Sequence, residues 1–207
     1  MRFNVIGDLH GYYQPYESLL LNAGIIDADL NWAAGSDQLW LIGDIFDRGN
    51  QAVQCLDLTI KLQQQAASAG GLVQCLLGNH ELMFLAAKKF MGDEAESAKM
   101  YKQWVHWGGQ EIEMQSITDQ HISWLSALPA MALVGNRLLI HGDNLSYVNY
   151  GMSIDQVNRY FEDLMTDNDH HKWARTLSEF SVRGEFELGL SGPKKCLSCY
   201  KYMAASY

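Results

Sequence analysis

An α/β domain built on a largely parallel sheet with helices on both faces is the fold class that the sequence predicts, and three observations predict it. Short apolar runs alternate with helical periodicities in the N-terminal part of the chain. The runs are continuously apolar, as in strands covered on both faces. Polar residues collect where each run ends, and open α/β sheets bind their ligands beyond the carboxyl ends of their strands.

The elements follow in order. FNVIGD (3–8) reads as a buried strand and YYQPYESLLLNAG (12–24) as a helix closed by Gly24. QLWLIGD (38–44) is a second strand, and NQAVQCLDLTIKLQQQAASAGG (50–71) is a long helix stopped by Gly70 and Gly71. LVQCLLGN (72–79) is a third strand. ALPAMALVGNRLLIHGDN (127–144) reads as a hairpin turned at Gly135-Asn136, with His141 at the end of its second strand. Between them, His106 in QWVHWGGQ and His121 in TDQHISWLSALP fall in helical stretches. Trp104, Trp107, Trp124 and Leu125 are expected to pack there as a helical cap over the sheet, and the two histidines to be structural.

The 207 residues, 48% hydrophobic and 19% charged, fit one domain with a sizeable core. A net charge of -9, a pI near 5.1 and the absence of a long Lys/Arg run exclude broad electrostatic binding to nucleic acid or an anionic membrane surface. Met1 and Arg2 lead directly into the first strand, no apolar stretch precedes a cleavage site, and no run is long enough to span a bilayer, so the cytoplasm is the default location. Cys55, Cys75, Cys196 and Cys199 are too few for a disulfide framework, and CLSC (196–199), with no second pair, reads as two ordinary thiols.

The strand ends carry the chemistry. The first delivers Asp8 and His10, the second Asp44, Asp47 and Arg48, the third Asn79, His80 and Glu81, and the hairpin adds His141. Carboxylates, imidazoles and an amide oxygen without a thiolate make a nitrogen–oxygen donor set suited to manganese, iron or zinc. Two cations about 3.5–4 Å apart can share one carboxylate and activate a water for in-line phosphoryl displacement. Asp44, on the central loop, is the candidate bridge. A Gly-Asp turn or a lone His has an ordinary structural explanation. GDLHG, GDIFDRG and GNHE, in that order and each at a strand end, do not share one.

With those three motifs, residues 3–145 resemble the phosphoprotein phosphatase group of the calcineurin-like metallophosphoesterases. The resemblance implies a sandwich-like sheet core with a helical insertion at about 82–128 bordering the substrate cleft. It implies that Asp8, His10 and Asp44 hold a first metal, and that Asp44, Asn79 and His141 hold a second. His80 would be the general acid, oriented by Asp47; Arg48 would grip the phosphate, which Asn79 also contacts. Attack would come from a hydroxide bridging the two divalent cations, with manganese the first choice and iron or zinc alternatives. HGDN after the hairpin is similar to bacterial and phage members rather than to the eukaryotic pattern. In KWARTLSEFSVRGE, Arg175 is the first candidate for a second phosphate-contacting arginine and Arg183 the second.

The tail departs from the family. Relatives supply a last metal-binding His in a Gly-His-Thr segment, whereas GLSGPKKCLSCYKYMAASY, including the atypical stretch 192–207, contains no His. His170 and His171, in a polar run that reads as a solvated loop, are the substitute candidates, and the second metal is expected to be held less firmly than the first. Three functions follow from the resemblance: a serine/threonine or dual-specificity protein phosphatase, a dinucleoside tetraphosphate hydrolase on the same core, or a catalytically weak metal- or phosphate-binding module. GDIFDRG and GNHE favour the first, because the nucleotide hydrolases tend to lack the Asp-Arg pair and to carry Asp after the His.

Overall fold

The computed structural model describes residues 1–92 and 96–184. Strand β1 (Phe3–Ile6), helix α1 (Tyr13–Asn22), β2 (Gln38–Leu41), α2 (Ala52–Ser68) and β3 (Leu72–Cys75) alternate as the apolar runs require. Helices α3 (Asn79–Lys89), α4 (Glu96–His106), α5 (Glu111–Ser116) and α6 (Asp119–Ser126) follow. The hairpin β4 (Met131–Val134) and β5 (Arg137–Ile140) leads to α7 (Ile154–Thr166) and α8 (His170–Phe180).

The three N-terminal strands form a parallel sheet in the order β1-β2-β3. Its register fixes the site. Ile6 pairs with Leu41 and Leu41 with Cys75, so the three strands end level and their following loops emerge side by side. The strands are shorter than their apolar runs because the backbone leaves the ladder once Ile42 has bonded to Ile6 and Leu76 to Leu41. Gly43 and Asp44 then take positive φ.

Alternation along β2 sends Leu39 and Leu41 into the main core with the helices, and Trp40 to the opposite face. There a smaller cluster forms with Leu76, and with Leu139, Ala132 and Val134 of the hairpin. That face is therefore covered by hairpin side chains, and Val5 on edge strand β1 stays 45% exposed. The continuous apolar run of β1 predicts burial on both faces, which an edge strand does not reach. The hairpin itself turns at Gly135-Asn136, with Val134 opposite Arg137.

Helix α3 is buried along its first nine residues, Asn79–Ala87, and is the central pillar of the core. The insertion packs around it: Trp104 of α4 is fully buried with its ring edge-on to Phe84, and Leu125 of α6 is fully buried. Trp124 is half-buried, its indole N–H donating to Gln63 Oε1 at 2.9 Å. Trp107 does not join this packing; it is 53% exposed. His106 is also exposed, and its ring meets that of Trp107. His121 is structural: its Nδ1 accepts the Thr118 N–H that starts α6, and its Nε2 meets Asp57. The run TDNDHHKW is not a loop throughout. Asp169 accepts the N–H groups of His171 and Lys172, and this cap starts α8 at His170. No helix among the described residues is long and apolar enough to cross a membrane.

Candidate metal centre and catalytic cleft

The three level strand ends place Asp8, His10, Asp44, Asn79 and His80 around one point, and β5 brings His141 to it from the hairpin. The loops bend hard to do so. Among the described residues, five non-glycine positions have positive φ, and four of them are His10, Asp44, Asp47 and Arg48. Such conformations cost on the order of 1–3 kcal/mol each and persist where the surroundings over-determine them. Close backbone approach does part of this. A Cβ on Gly78 would lie 2.5 Å from Asp44 N, and one on Gly49 would lie 2.5 Å from His10 O. Glycine at 49 and 78 lets the loops nest.

The imidazoles are oriented from behind. His10 Nδ1 donates to Phe46 O at 2.9 Å and His141 Nδ1 to Ile42 O at 2.7 Å, so both point Nε2 inward. His10 Nε2 lies 3.5 Å from Asp8 Oδ2 and 3.9 Å from Asp44 Oδ2. His141 Nε2 lies 3.2 Å from Asp44 Oδ1 and 3.0 Å from Asn79 Oδ1. Asp44 thus faces His141 with Oδ1 and His10 with Oδ2. Ligand atoms of Asp8, Asp44 and His141 lie within 4.8 Å of one another, as do those of His10, Asp44 and His80.

These residues fit a divalent cation. Two buried side-chain polar atoms among the described residues lack a hydrogen-bond partner, and His10 Nε2, at the centre of the donor set, is one of them. The electrostatics agree. Burial opposes charge on Asp44, yet His141 and His80 pull its carboxyl down to about 2. Burial likewise opposes protonation of His10 and His141, yet Asp8, the Phe46 carbonyl and Asp44 raise His10, and Asp44 raises His141, above the ordinary value. The centre is a concentrated negative field lined with nitrogen and oxygen donors, which is what a hard or borderline cation requires.

Beside it sits a second device. His80 Nδ1 meets Asp47 Oδ2 at 2.6 Å, both residues being buried. The other oxygen, Asp47 Oδ1, accepts the indole N–H of Trp104 at 2.7 Å. Burial raises the Asp47 carboxyl against the pull of His80 and Trp104. The pair therefore shares a strong hydrogen bond in a dry setting, with His80 Nε2 turned to the centre, 3.9 Å from Asp44 Oδ2.

Both groups open on one cleft of about 610 Å³, whose lining includes Asp8, Asp44, Asn79, His80 and the guanidinium-bearing Arg48 and Arg183. Arg183 also donates to Asn79 Oδ1. Arg175, the first candidate for a second phosphate contact, lies outside this lining. On α8 the buried positions are Trp173, Thr176, Leu177 and Phe180, which leaves residue 175 on the exposed side. His170 and His171 start α8, whereas Ser178 and Ser181, near its end, line the cleft. At 1.5 Å per residue the two histidines stand roughly 10 Å or more along the helix from that lining. Cys196, Cys199 and the tail 192–207 lie outside the described residues.

Two carboxylates whose roles the sequence does not signal support the site from below. Glu81 Oε2 accepts the N–H groups of Asp44 and Gly78 at 2.8 and 2.9 Å, and Oε1 accepts those of Ile45 and Phe46 at 2.6 and 3.3 Å. One buried side chain thus holds the loops after β2 and β3 together. The other is Glu113 of α5, whose Oε1 accepts the Ala52 N–H at 2.6 Å while Oε2 has no partner.

Burial, with Asp47 nearby, pushes the Glu113 carboxyl up to about 7. The native state therefore keeps this proton as pH rises, while the unfolded chain releases it near the ordinary value of 4.5. Its contribution to stability is full below pH 4.5, declines from there to about pH 7 and is level beyond. Replacing Glu113 with Gln is expected to remove a decline of about 1–3 kcal/mol across that window. Urea unfolding of both proteins at pH 5 and pH 7.5 measures it; an equal difference at the two pH values contradicts this origin.

A parallel sheet whose level strand ends carry a nitrogen–oxygen donor set, next to a buried His-Asp pair and two arginines, defines a divalent-metal centre built to meet an anionic ligand. The chain belongs to the calcineurin-like phosphoesterase family, whose model matches residues 1–194. It is 38% identical over 82 residues to Shewanella-like protein phosphatase 2 of Arabidopsis thaliana, covering 40% of this chain and 21% of that one. It is 29% identical over 141 residues to a symmetrical bis(5'-nucleosyl)-tetraphosphatase of Neisseria meningitidis, covering 68% of this chain and 43% of the relative. A crystal structure of a cold-active protein-tyrosine phosphatase of a psychrophilic Shewanella species superposes with a TM-score of 0.72 at 25% identity, covering 95% of this chain and 62% of that one. The chain spans less than two thirds of the length of each of these three.

Proposed function

We propose that this chain is the core of a divalent-metal-dependent phosphomonoesterase acting on phosphoproteins. The observation that carries this reading is the meeting, in one cleft, of the donor set around Asp44, the His80–Asp47 pair and the guanidiniums of Arg48 and Arg183. Asp8, His10 and Asp44 would hold one cation, and Asp44, Asn79 and His141 a second, with manganese the first choice for this donor chemistry. Cations in that centre supply Lewis acidity, which acidifies the attacking water and offsets charge on the phosphoryl oxygens.

The chain's own residues do the rest. Arg48 and Arg183 pair with phosphate oxygens, a contact that the planar guanidinium makes bidentately. Asn79 helps to orient the phosphoryl group. His80 Nε2 holds a proton and delivers it to the ester oxygen as the phosphorus–oxygen bond breaks, so the leaving group departs as a neutral alcohol. Asp47 fixes the ring through its 2.6 Å contact with Nδ1, and Trp104 fixes Asp47.

Excess chelator is expected to abolish hydrolysis of a phosphopeptide, and added manganese to restore it. Activity that persists in chelator overturns the reading. A second reading, hydrolysis of dinucleoside tetraphosphates, is favoured by the relative from Neisseria meningitidis and is tested in the same assay with diadenosine tetraphosphate. Turnover of that substrate alone decides for it. Cation binding with no turnover of either substrate marks a binding module.

A further inference from the structure

One oxygen of the donor set is engaged by a cation of the chain itself. Arg183 Nη2 donates to Asn79 Oδ1, and His141 Nε2 stands 3.0 Å from the same oxygen. An amide coordinates a hard cation through that oxygen. The guanidinium is held on two further sides. Its Nη1 donates to Phe180 O at 3.0 Å and to Val182 O at 2.9 Å, where α8 ends. It also lies against the loop after His141, since a Cβ on Gly142 would come within 2.6 Å of Nη1. The main chain on either side of residue 183 is tied to that loop. Asn144, fully buried, donates through Nδ2 to Val182 O at 2.8 Å, and Asp143 Oδ1 accepts the Gly184 N–H at 2.8 Å. Residue 183 itself is exposed and lines the cleft. The base of the arm is therefore fixed, and its head is free to turn into the cleft.

We propose that Arg183 alternates between Asn79 and the substrate's phosphate, and that in its Asn79 position it competes with the second divalent cation. The inference rests on the phosphomonoesterase reading and adds to it a coupling between cation and phosphate binding. A guanidinium and a divalent cation on one buried amide oxygen repel each other at contact distance. A phosphate in the cleft offers Arg183 ionised oxygens that its planar fork matches bidentately, against one neutral oxygen on Asn79. Phosphate thus draws the guanidinium away and leaves Asn79 Oδ1 to the cation. By linkage, a cation at that oxygen favours phosphate by the same factor. A second site weaker than the first then has a cause among the described residues.

The test titrates metal-free protein with manganese by calorimetry. Wild type is compared with Arg183→Gln and with Arg175→Gln, which removes the same charge from the exposed side of α8. Arg183→Gln is expected to tighten the second binding event about 5- to 150-fold, the range of coupling between sites, and to leave the first within about twofold. Arg175→Gln is expected to change neither by more than about twofold. Methylphosphonate, a phosphate mimic with no ester bond to break, is expected to tighten the second event more in wild type than in Arg183→Gln. A second event that is unchanged or weakened in Arg183→Gln overturns the competition. So does one that Arg175→Gln strengthens equally, which would be an effect of net charge. An equal effect of methylphosphonate on both proteins overturns the exchange with phosphate. One event in wild type and two in Arg183→Gln supports the competition; one event in both overturns it. None of these measurements needs turnover, so failure to hydrolyse any phosphopeptide defeats the phosphomonoesterase reading while the calorimetry still decides the role of Arg183.

Discussion

Replacing His80 with Ala is expected to lower the rate on alkyl phosphoesters by about 10²–10⁴, the range for losing a general acid, while cation binding stays nearly unchanged. The geometry separates the two functions of the imidazoles. His10 and His141 donate Nδ1–H to the main-chain oxygens of Phe46 and Ile42, which leaves their Nε2 atoms facing Asp44. His80 instead meets a carboxylate, Asp47, through Nδ1 at 2.6 Å, which fixes its ring with Nε2 toward the centre. A second substitution, His80→Gln, keeps a donor for Asp47 without a transferable proton, and so separates acid catalysis from the loss of a buried hydrogen bond. An ester whose leaving group is already acidic needs little protonation, so p-nitrophenyl phosphate is expected to lose much less rate in both variants. Rate constants on the two ester types, with metal content measured alongside, check this. Loss of cation affinity together with activity would make His80 a ligand through Nε2.

The second large effect is expected at Glu81. Its carboxylate accepts four main-chain N–H groups from residues 44, 45, 46 and 78, all at the metal loops. Burial and the Asp44 charge push its carboxyl up, and those N–H groups counter them. Glu81→Ala removes every acceptor and leaves the donors buried, at about 1–3 kcal/mol for each one that water cannot reach. A total of at least about 3 kcal/mol is expected, which lowers Tm by about 6–12 °C in a chain of this size. Glu81→Gln keeps one carbonyl acceptor but turns a second N–H-facing position into a donor, so it is expected to recover only part of the loss. Thermal unfolding of both variants without added metal isolates the structural effect. A shift under about 2 °C in Glu81→Ala would show that the loops are held by other contacts.

Much of this arrangement is legible in the sequence because a parallel sheet makes position along the chain equivalent to position in space. Apolar runs of similar length, each ending in Gly-Asp or Gly-Asn, predict level strand ends, and level ends bring Asp8, Asp44 and Asn79 together. His141 is legible for a similar reason, since a two-residue turn at Gly135-Asn136 fixes where β5 ends. What is not legible depends on helix phase or on pairs far apart in the chain. Whether residue 175 or 183 enters the cleft follows from where α8 begins, and that is set by the Asp169 cap inside a run polar enough to look like loop. Trp104 and Asp47 are 57 residues apart, and no periodicity signals that an indole N–H will meet a carboxylate. Glu113 appears as one of two acids on a short helix; only its burial and unpartnered oxygen in the fold set it apart. Trp107 shares the apolar pattern of Trp104, but Trp104 is buried against Gly109, where a Cβ would lie 2.2 Å from its indole, while Trp107 follows the end of α4 and is exposed.

Helix α4 ends in a double tether: Trp104 donates to Asp47, and Gly108 accepts from Arg48, the next residue of the same loop. The helical insertion is thus tied to the loop that carries Asp47 and Arg48, and on the proposed reading its history is constrained accordingly. Drift can reshape the exposed side of α4, where Lys102 and Val105 lie, without touching the chemistry. The segment cannot be exchanged between relatives as an independent specificity module, because a transplanted helix brings its own setting for the acid and for the phosphate grip. On the proposed reading, the settings of Asp47 and Arg48 are inherited together through one turn of helix, so selection acting on either is expected to move both.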